Sequence, residues 1–281
     1  MRRIDRRLFF ASAIALEMML VLAPEGVSLA KETLIIAASP SLKAPLESLG
    51  HAFEAANPDV QIRLFYDSGL GLRQTIAGMQ NKGKHFIETG PFHLVAPGGD
   101  ELIDRLEMKY YVLPGTRRAY VSVPLVLIAP ASWVDAPTSF DALAKDPKLR
   151  VAIADPAVTD LGKQTDQLLQ GMGIRQALKG RLDVAHDSHG VLDHLLRGEA
   201  DVGILFGPAA AQERERVRIV AVAPKIGYRP AVHSMAMERY CPNRKLCAEF
   251  LNFIQSPDAQ TALKPLGYLP PYGNERVSPP R

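Results

Sequence analysis

The sequence predicts an α/β protein with largely parallel sheets, and three observations carry that expectation. From residue 31 onward, strand-like and helix-like segments alternate almost to the end, the pattern that builds layered α/β domains. No internal repeat or low-complexity linker interrupts the alternation. The 281 residues are 47% hydrophobic and 22% charged, which suits one large globular domain or two small ones.

The elements follow in order. The first thirty residues, "MRRIDRRLFFASAIALEMMLVLAPEGVSLA", stand apart: a basic start, an apolar middle over 8–23 and a small-residue exit. Ser28-Leu29-Ala30 predicts cleavage after Ala30, so 1–30 is an export signal peptide. Glu17 and Pro24 make the stretch a poor permanent membrane span. "DRRLFF" carries the paired arginines of a twin-arginine export signal, the alternative being a general secretory signal. After it, "TLIIAAS" reads as a buried strand, "LESLGHAFEAANP" as a helix and "VQIRLFYD" as the next strand. In "FYDSGLGLRQTIAGM", Leu72, Ile76 and Met79 recur at helical spacing behind a polar turn. "FHLVAP" is a strand, "GDELIDRLEMK" a helix, and "YVSVPLVLIAP" a long apolar run. "RVAIADP", "ADVGILFG" and "RIVAVAP" are strands. "LGKQTDQLLQGMG", "VLDHLLRG" and "LCAEFLNFIQSPDAQTALKPLG" are helical.

Net charge is +3, of which the first thirty residues supply +1, and no basic block suggests a nucleic-acid surface. Export into an oxidising compartment predicts that Cys241 and Cys247, the only two cysteines, form a disulfide. Closing so short a loop contributes about 2 kcal/mol. A lone C-x5-C without a nearby histidine pair is a weak zinc pattern.

Ligands of open α/β sheets collect where strand C-termini meet helix N-termini, which carry free N–H groups and partial positive charge. "AASPSLKAP" and "DSGLG" place Ser41 and Ser68 at two such turns. Each serine alone reads as a helix cap. Together they shift the reading toward an anion site, and "ADPAVTDLGKQTDQLL" repeats the strand–turn–helix theme around Leu161.

These segments resemble the periplasmic molybdate-binding proteins of ABC importers, within the type II solute-binding superfamily. The likeness runs through "AASPSLKAPLESLGHAFEAANPDVQIRLFYDSGLGLRQTI", "LVLIAP", "VAIADPAVTDLG", "LLRGEADVGILF" and "SPDAQTALKPLGYLPP". It implies a two-lobe periplasmic-binding-protein-like α/β fold with the ligand cleft between the lobes. The lobes are expected at 31–119 plus 236–281 and at 120–235, joined by crossovers near "YVSVPLVLIAP" and "YRPAVHSMAM". It implies capture of a small tetrahedral oxyanion, molybdate or tungstate, for an ABC permease in the inner membrane. The implied ligand-binding residues are Ser41, Ser68, Leu161, Ser188 and Phe206. The implied protein is a periplasmic monomer with no cofactor, no metal, no catalytic residue and no nucleic-acid partner.

Four departures from the family pattern stand out. Phe206 stands where the family has a tyrosine, so one charge-assisted hydrogen bond of about 1.5–3 kcal/mol is missing. Ser188 in "HDSHG" and Asp160 beside Leu161 also differ from the family pattern, and "NKGKHFIET" reads as an insertion. Alternatives are another small anion (sulfate-like, phosphonate or organic acid) or a metal held by His93, His186 and His189 at the cleft. A hydrolase centred on Ser188, His186 or His189, and Asp187 lacks a Gly-x-Ser-x-Gly elbow and requires neighbours in sequence to meet as a triad.

Overall fold

The computed structural model of the chain describes residues 31–68, 71, 72, 74, 76 and 92–271. The export segment, Gly69, Arg73, Met79 and "NKGKHFIET" lie outside these residues.

Two five-stranded sheets make the two lobes. The first has the order β2-β1-β3-β10-β4, with β1 Glu32–Ala38, β2 Val60–Tyr66, β3 Leu94–Ala96, β4 Arg118–Val123 and β10 Ala231–Met237. The second has the order β7-β6-β8-β5-β9, with β5 Leu125–Pro130, β6 Val151–Ala154, β7 Leu182–Ala185, β8 Val202–Phe206 and β9 Val217–Val222. Both sheets are mixed rather than largely parallel. β1 runs parallel to β2 and β3, and β6 to β7 and β8. β10 is antiparallel to β3 and β4, and β5 to β8 and β9.

The antiparallel strands are the ones that change lobes. The apolar run "YVSVPLVLIAP" breaks at Pro124 into β4 and β5, because proline supplies no ladder N–H. The expected lobe boundaries at 119/120 and 235/236 fall inside β4 and β10, both of which pair in the first sheet.

Strand register explains which edges meet. β4 leaves the first sheet beside the C-terminal ends of β1 and β3, and Leu125 then pairs with Phe206, the last residue of β8. On return, Val222 pairs with Val126 and Ala231 with Val123, so the second connection crosses at the same level. The C-terminal edges of both sets of parallel strands therefore border the crossovers, the arrangement that places a ligand cleft between the lobes.

β1 is buried on both faces, which is why it reads as a continuous apolar run. Leu34, Ile36 and Ala38 point to one core with Leu46, Phe53 and Phe250, while Ile35 and Ala37 point to another with Leu72, Ile76 and Phe92. The helical rhythm expected for Leu72 and Ile76 thus faces the second of these cores. The second sheet has its own core around Leu127, Ile153, Leu168 and Ile204. Cys241 and Cys247 are joined by a disulfide that is buried against the first core. No helix of the described residues is long and apolar enough to cross a membrane.

Candidate functional site

The first lobe gathers three strand ends at one place. The Ser39 N–H donates to Ala96 O (3.1 Å) and the Asp67 N–H to Ala38 O (3.0 Å), tying the exits of β1, β2 and β3 together. Ser39 opens a 3-10 turn, Pro40–Leu42, and its Oγ lies 3.1 Å from Ser41 Oγ. Neither hydroxyl caps a helix: the Lys43–Ala56 helix has Leu42 at its N-cap, and Ser39 makes no side-chain cap bond. Two exposed or half-exposed hydroxyls therefore stand side by side with donor capacity to spare. Gly98, at φ 84, lies against them; a Cβ there would sit 2.8 Å from Ser39 Cβ and 3.5 Å from Ser41 Oγ. Only glycine fits that left-handed approach without strain.

Ser68 resolves the choice between capping and donation. Its Oγ accepts the Gly71 N–H at 3.0 Å, and its carbonyl accepts the Leu72 N–H at 2.8 Å. An accepting hydroxyl oxygen still has its own proton to give, so the serine caps the helix start and keeps one donor facing solvent. Asp67 turns onto the Ser68 N–H at 2.7 Å. Nearby, burial and then Glu47 push the Tyr66 hydroxyl up to about 12, so it stays protonated; it donates to Lys43 O at 3.5 Å.

The second lobe contributes three helix starts. Thr159 caps the Asp160–Gly171 helix by accepting the Gly162 N–H at 2.9 Å. Leu161 is the second helical residue, so no helical carbonyl reaches its N–H. The side chain of Leu161 is buried in the core, leaving the backbone as its only contribution. Asp160 is turned along the helix flank, where its Oδ2 accepts from Gln164 Nε2 at 2.8 Å.

Asp187 caps the Ser188–Leu196 helix, accepting the Gly190 N–H at 3.0 Å. That bond, with the His189 N–H and the flanking imidazoles behind it, holds the Asp187 carboxyl below its usual range. Ser188 is the first helical residue and half-buried. Phe206, also half-buried, ends β8 at the crossover. There the Gly207 N–H donates to Pro124 O at 2.8 Å.

Ser41 and Ser68 thus share the exit edge of the first sheet, and Leu161, Ser188 and Phe206 share that of the second. His93 belongs to neither edge. It lies on the entry side of β3, where its Nδ1 accepts the buried Ile35 N–H at 3.1 Å, and burial lowers its pKa despite Glu32. The three histidines offered as a metal set therefore do not converge: His93 is locked in the sheet while His186 and His189 are exposed at a helix start. Ser39 and the Gly98 turn were not singled out from sequence. "AASPSL" and the glycines after "FHLVAP" held the signal, a third strand end beside the first two.

The fold has counterparts among known proteins. The chain is 25% identical over 217 residues to the molybdate-binding protein ModA of Escherichia coli, spanning 76% of this chain and 84% of that one. Among solved structures, a substrate-binding domain assigned to a molybdenum ABC transporter of Clostridium difficile aligns with a TM-score of 0.70 and 21% identity. That alignment covers 86% of this chain and all of the other. The periplasmic molybdate-binding protein of Azotobacter vinelandii gives a TM-score of 0.50 at 18% identity, over 85% of this chain and 99% of that one. The sequence profile of the bacterial extracellular solute-binding proteins matches residues 34–269, and the chain belongs to that family, whose members bind solutes rather than transform them.

Proposed function

We propose that this protein is the periplasmic receptor of an ABC importer and captures a small tetrahedral oxyanion, molybdate or tungstate, between its lobes. The observation that carries this reading is the cluster of serine hydroxyls at the exit of the first sheet. Ser39 and Ser41 lie 3.1 Å apart and Ser68 keeps a free proton one strand over. Neutral hydroxyls and helix-start N–H groups suit a dianion that must be released again, and no lysine or arginine is buried among the described residues. The opposing donors would be the N–H groups of Leu161 and Ser188. Phe206 brings no hydroxyl, and the additional Ser39 hydroxyl in the first lobe offsets that loss. Closure of the lobes over the anion would present the permease with a surface that the open form lacks. The similarity to the molybdate-binding protein ModA of Escherichia coli supports the choice of ligand.

The test is calorimetry and thermal shift on ligand-free protein with molybdate, tungstate, sulfate and phosphate. Molybdate and tungstate are expected to bind more tightly than the other two. Ser41→Ala and Ser68→Ala should each weaken binding roughly 10- to 100-fold, the worth of a hydrogen bond to a charged group. Absence of heat and of thermal shift with all four anions would end the oxyanion reading.

A further inference from the structure

We propose that Asp183, His194 and Glu199 form a binding site for a divalent cation of the zinc class on the flank of the second lobe. The three side chains come from different elements. Asp183 lies on β7, an edge strand, His194 in the last turn of the Ser188–Leu196 helix, and Glu199 in the turn that follows. The Glu199 N–H donates to His194 O at 2.9 Å, which returns Glu199 beside the imidazole. His194 Nδ1 is 2.6 Å from Asp183 Oδ2 and 3.8 Å from Glu199 Oε2. The three donor atoms all lie within 4.8 Å of one another.

Charge makes this more than a hydrogen-bonded pair. Among the described residues, no lysine or arginine pairs with either carboxylate. Two carboxylates converge on one imidazole, and a proton on Nδ1 satisfies Asp183 but leaves Glu199 without a match. One imidazole nitrogen with two carboxylate oxygens suits zinc and its first-row neighbours, and would leave a coordination position for water. Bonds of about 2.0–2.2 Å in a tetrahedral site put neighbouring ligands roughly 3.4 Å apart. The present separations of 2.6 and 3.8 Å straddle that value. Glu199, whose side chain is 50% exposed, is free to swing the remaining distance. Binding requires the Nδ1 lone pair, so the ring proton moves to Nε2, or is released when the imidazole starts out protonated.

The site is separate from the cleft. His194 is six residues along the helix from Ser188, about 9 Å by the helical rise. It therefore stands independently of the oxyanion reading. A cation there would clamp the edge strand to the end of the helix whose start borders the cleft.

The experiment is calorimetric titration of chelator-stripped protein with zinc chloride, with magnesium and calcium as controls. The expected result is one zinc per chain with little response to magnesium. His194→Ala should abolish binding, and Glu199→Gln, on the exposed turn and harmless to folding, should weaken it roughly tenfold or more. The double variant His186→Ala/His189→Ala should bind as the parent does. Circular dichroism verifies that each variant is folded. No zinc binding, zinc binding unchanged in folded His194→Ala and Glu199→Gln, or binding lost in the His186/His189 variant would each overturn the proposal.

Discussion

A single methyl group at position 207 tests how the lobes are held. Gly207 starts the short helix after β8 in the second lobe, and Gly267 closes the 3-10 turn Lys264–Leu266. The segment behind Gly267 belongs to the first lobe, since Ser122 and Leu269 exchange backbone hydrogen bonds of 2.8 and 3.1 Å. A Cβ on Gly207 would lie 2.2 Å from Gly267 O and 3.0 Å from Pro124 Cγ. An ordinary carbon–oxygen contact is wider by about 1 Å, and both obstacles are parts of constrained backbone or ring. Overpacking of that kind costs about 1–3 kcal/mol, which for a protein of this size lowers Tm by about 2–6 °C. Gly267→Ala should be worse, because its methyl would meet Gly207 O at 2.2 Å and its φ is 79. The left-handed conformation adds about 1–2 kcal/mol for a non-glycine residue. Either methyl forces the same separation, so the double variant should cost less than the sum of the singles. Thermal denaturation of the two singles and the double provides the measurement. A Gly207→Ala protein that melts with the parent, or strictly additive singles, would refute the close contact between lobes.

Three further outcomes are expected. Asp187→Asn keeps an equally good helix cap and removes a negative charge from the proposed cleft. With that repulsion removed, calorimetry should read tighter anion binding, a modest gain because solvent screens an exposed carboxylate. Unchanged affinity would mean that the carboxylate does not face the guest. His93 is held neutral by burial, below its ordinary 6.5, with Nδ1 accepting from Ile35. The folded state therefore binds fewer protons than the unfolded state, so the stability this gives is complete above pH 6.5 and is lost as pH falls toward the depressed value. Urea midpoints between pH 7.5 and 5 should show that slope, at most about 1.4 kcal/mol per pH unit, and His93→Gln should remove it. Reduction of the Cys241–Cys247 bond should lower stability by about 2 kcal/mol, read as a shift in the urea midpoint with and without reductant.

Much of the fold was legible because it is written locally. "TLIIAAS" has no polar face, which identifies a strand covered on both sides, and "DSGLG" contains its own capping chemistry. The helix rhythm of Leu72 and Ile76 needed no partner to be read. The mixed character of the sheets was less legible, because β4, β5 and β10 look like any apolar strand until their partners are known. Within the candidate site, Ser41 and Ser68 were visible as turn serines, whereas Ser39 and Gly98 acquired meaning only when β3 was placed beside β1. His93 shows the reverse case: a histidine near the expected insertion invites a ligand role, and the register with Ile35 assigns it a structural one.

By itself, then, the sequence determined the alternation of strands and helices, the serine turns and the disulfide pair, since periodicity, capping and cysteine chemistry act over a few residues. Tertiary structure alone decided which strand ends converge, that Gly207 touches Gly267, and that Asp183, His194 and Glu199 meet. Those facts depend on register and packing between segments far apart in the chain, and no local pattern of residues encodes a distance across a sheet or between lobes.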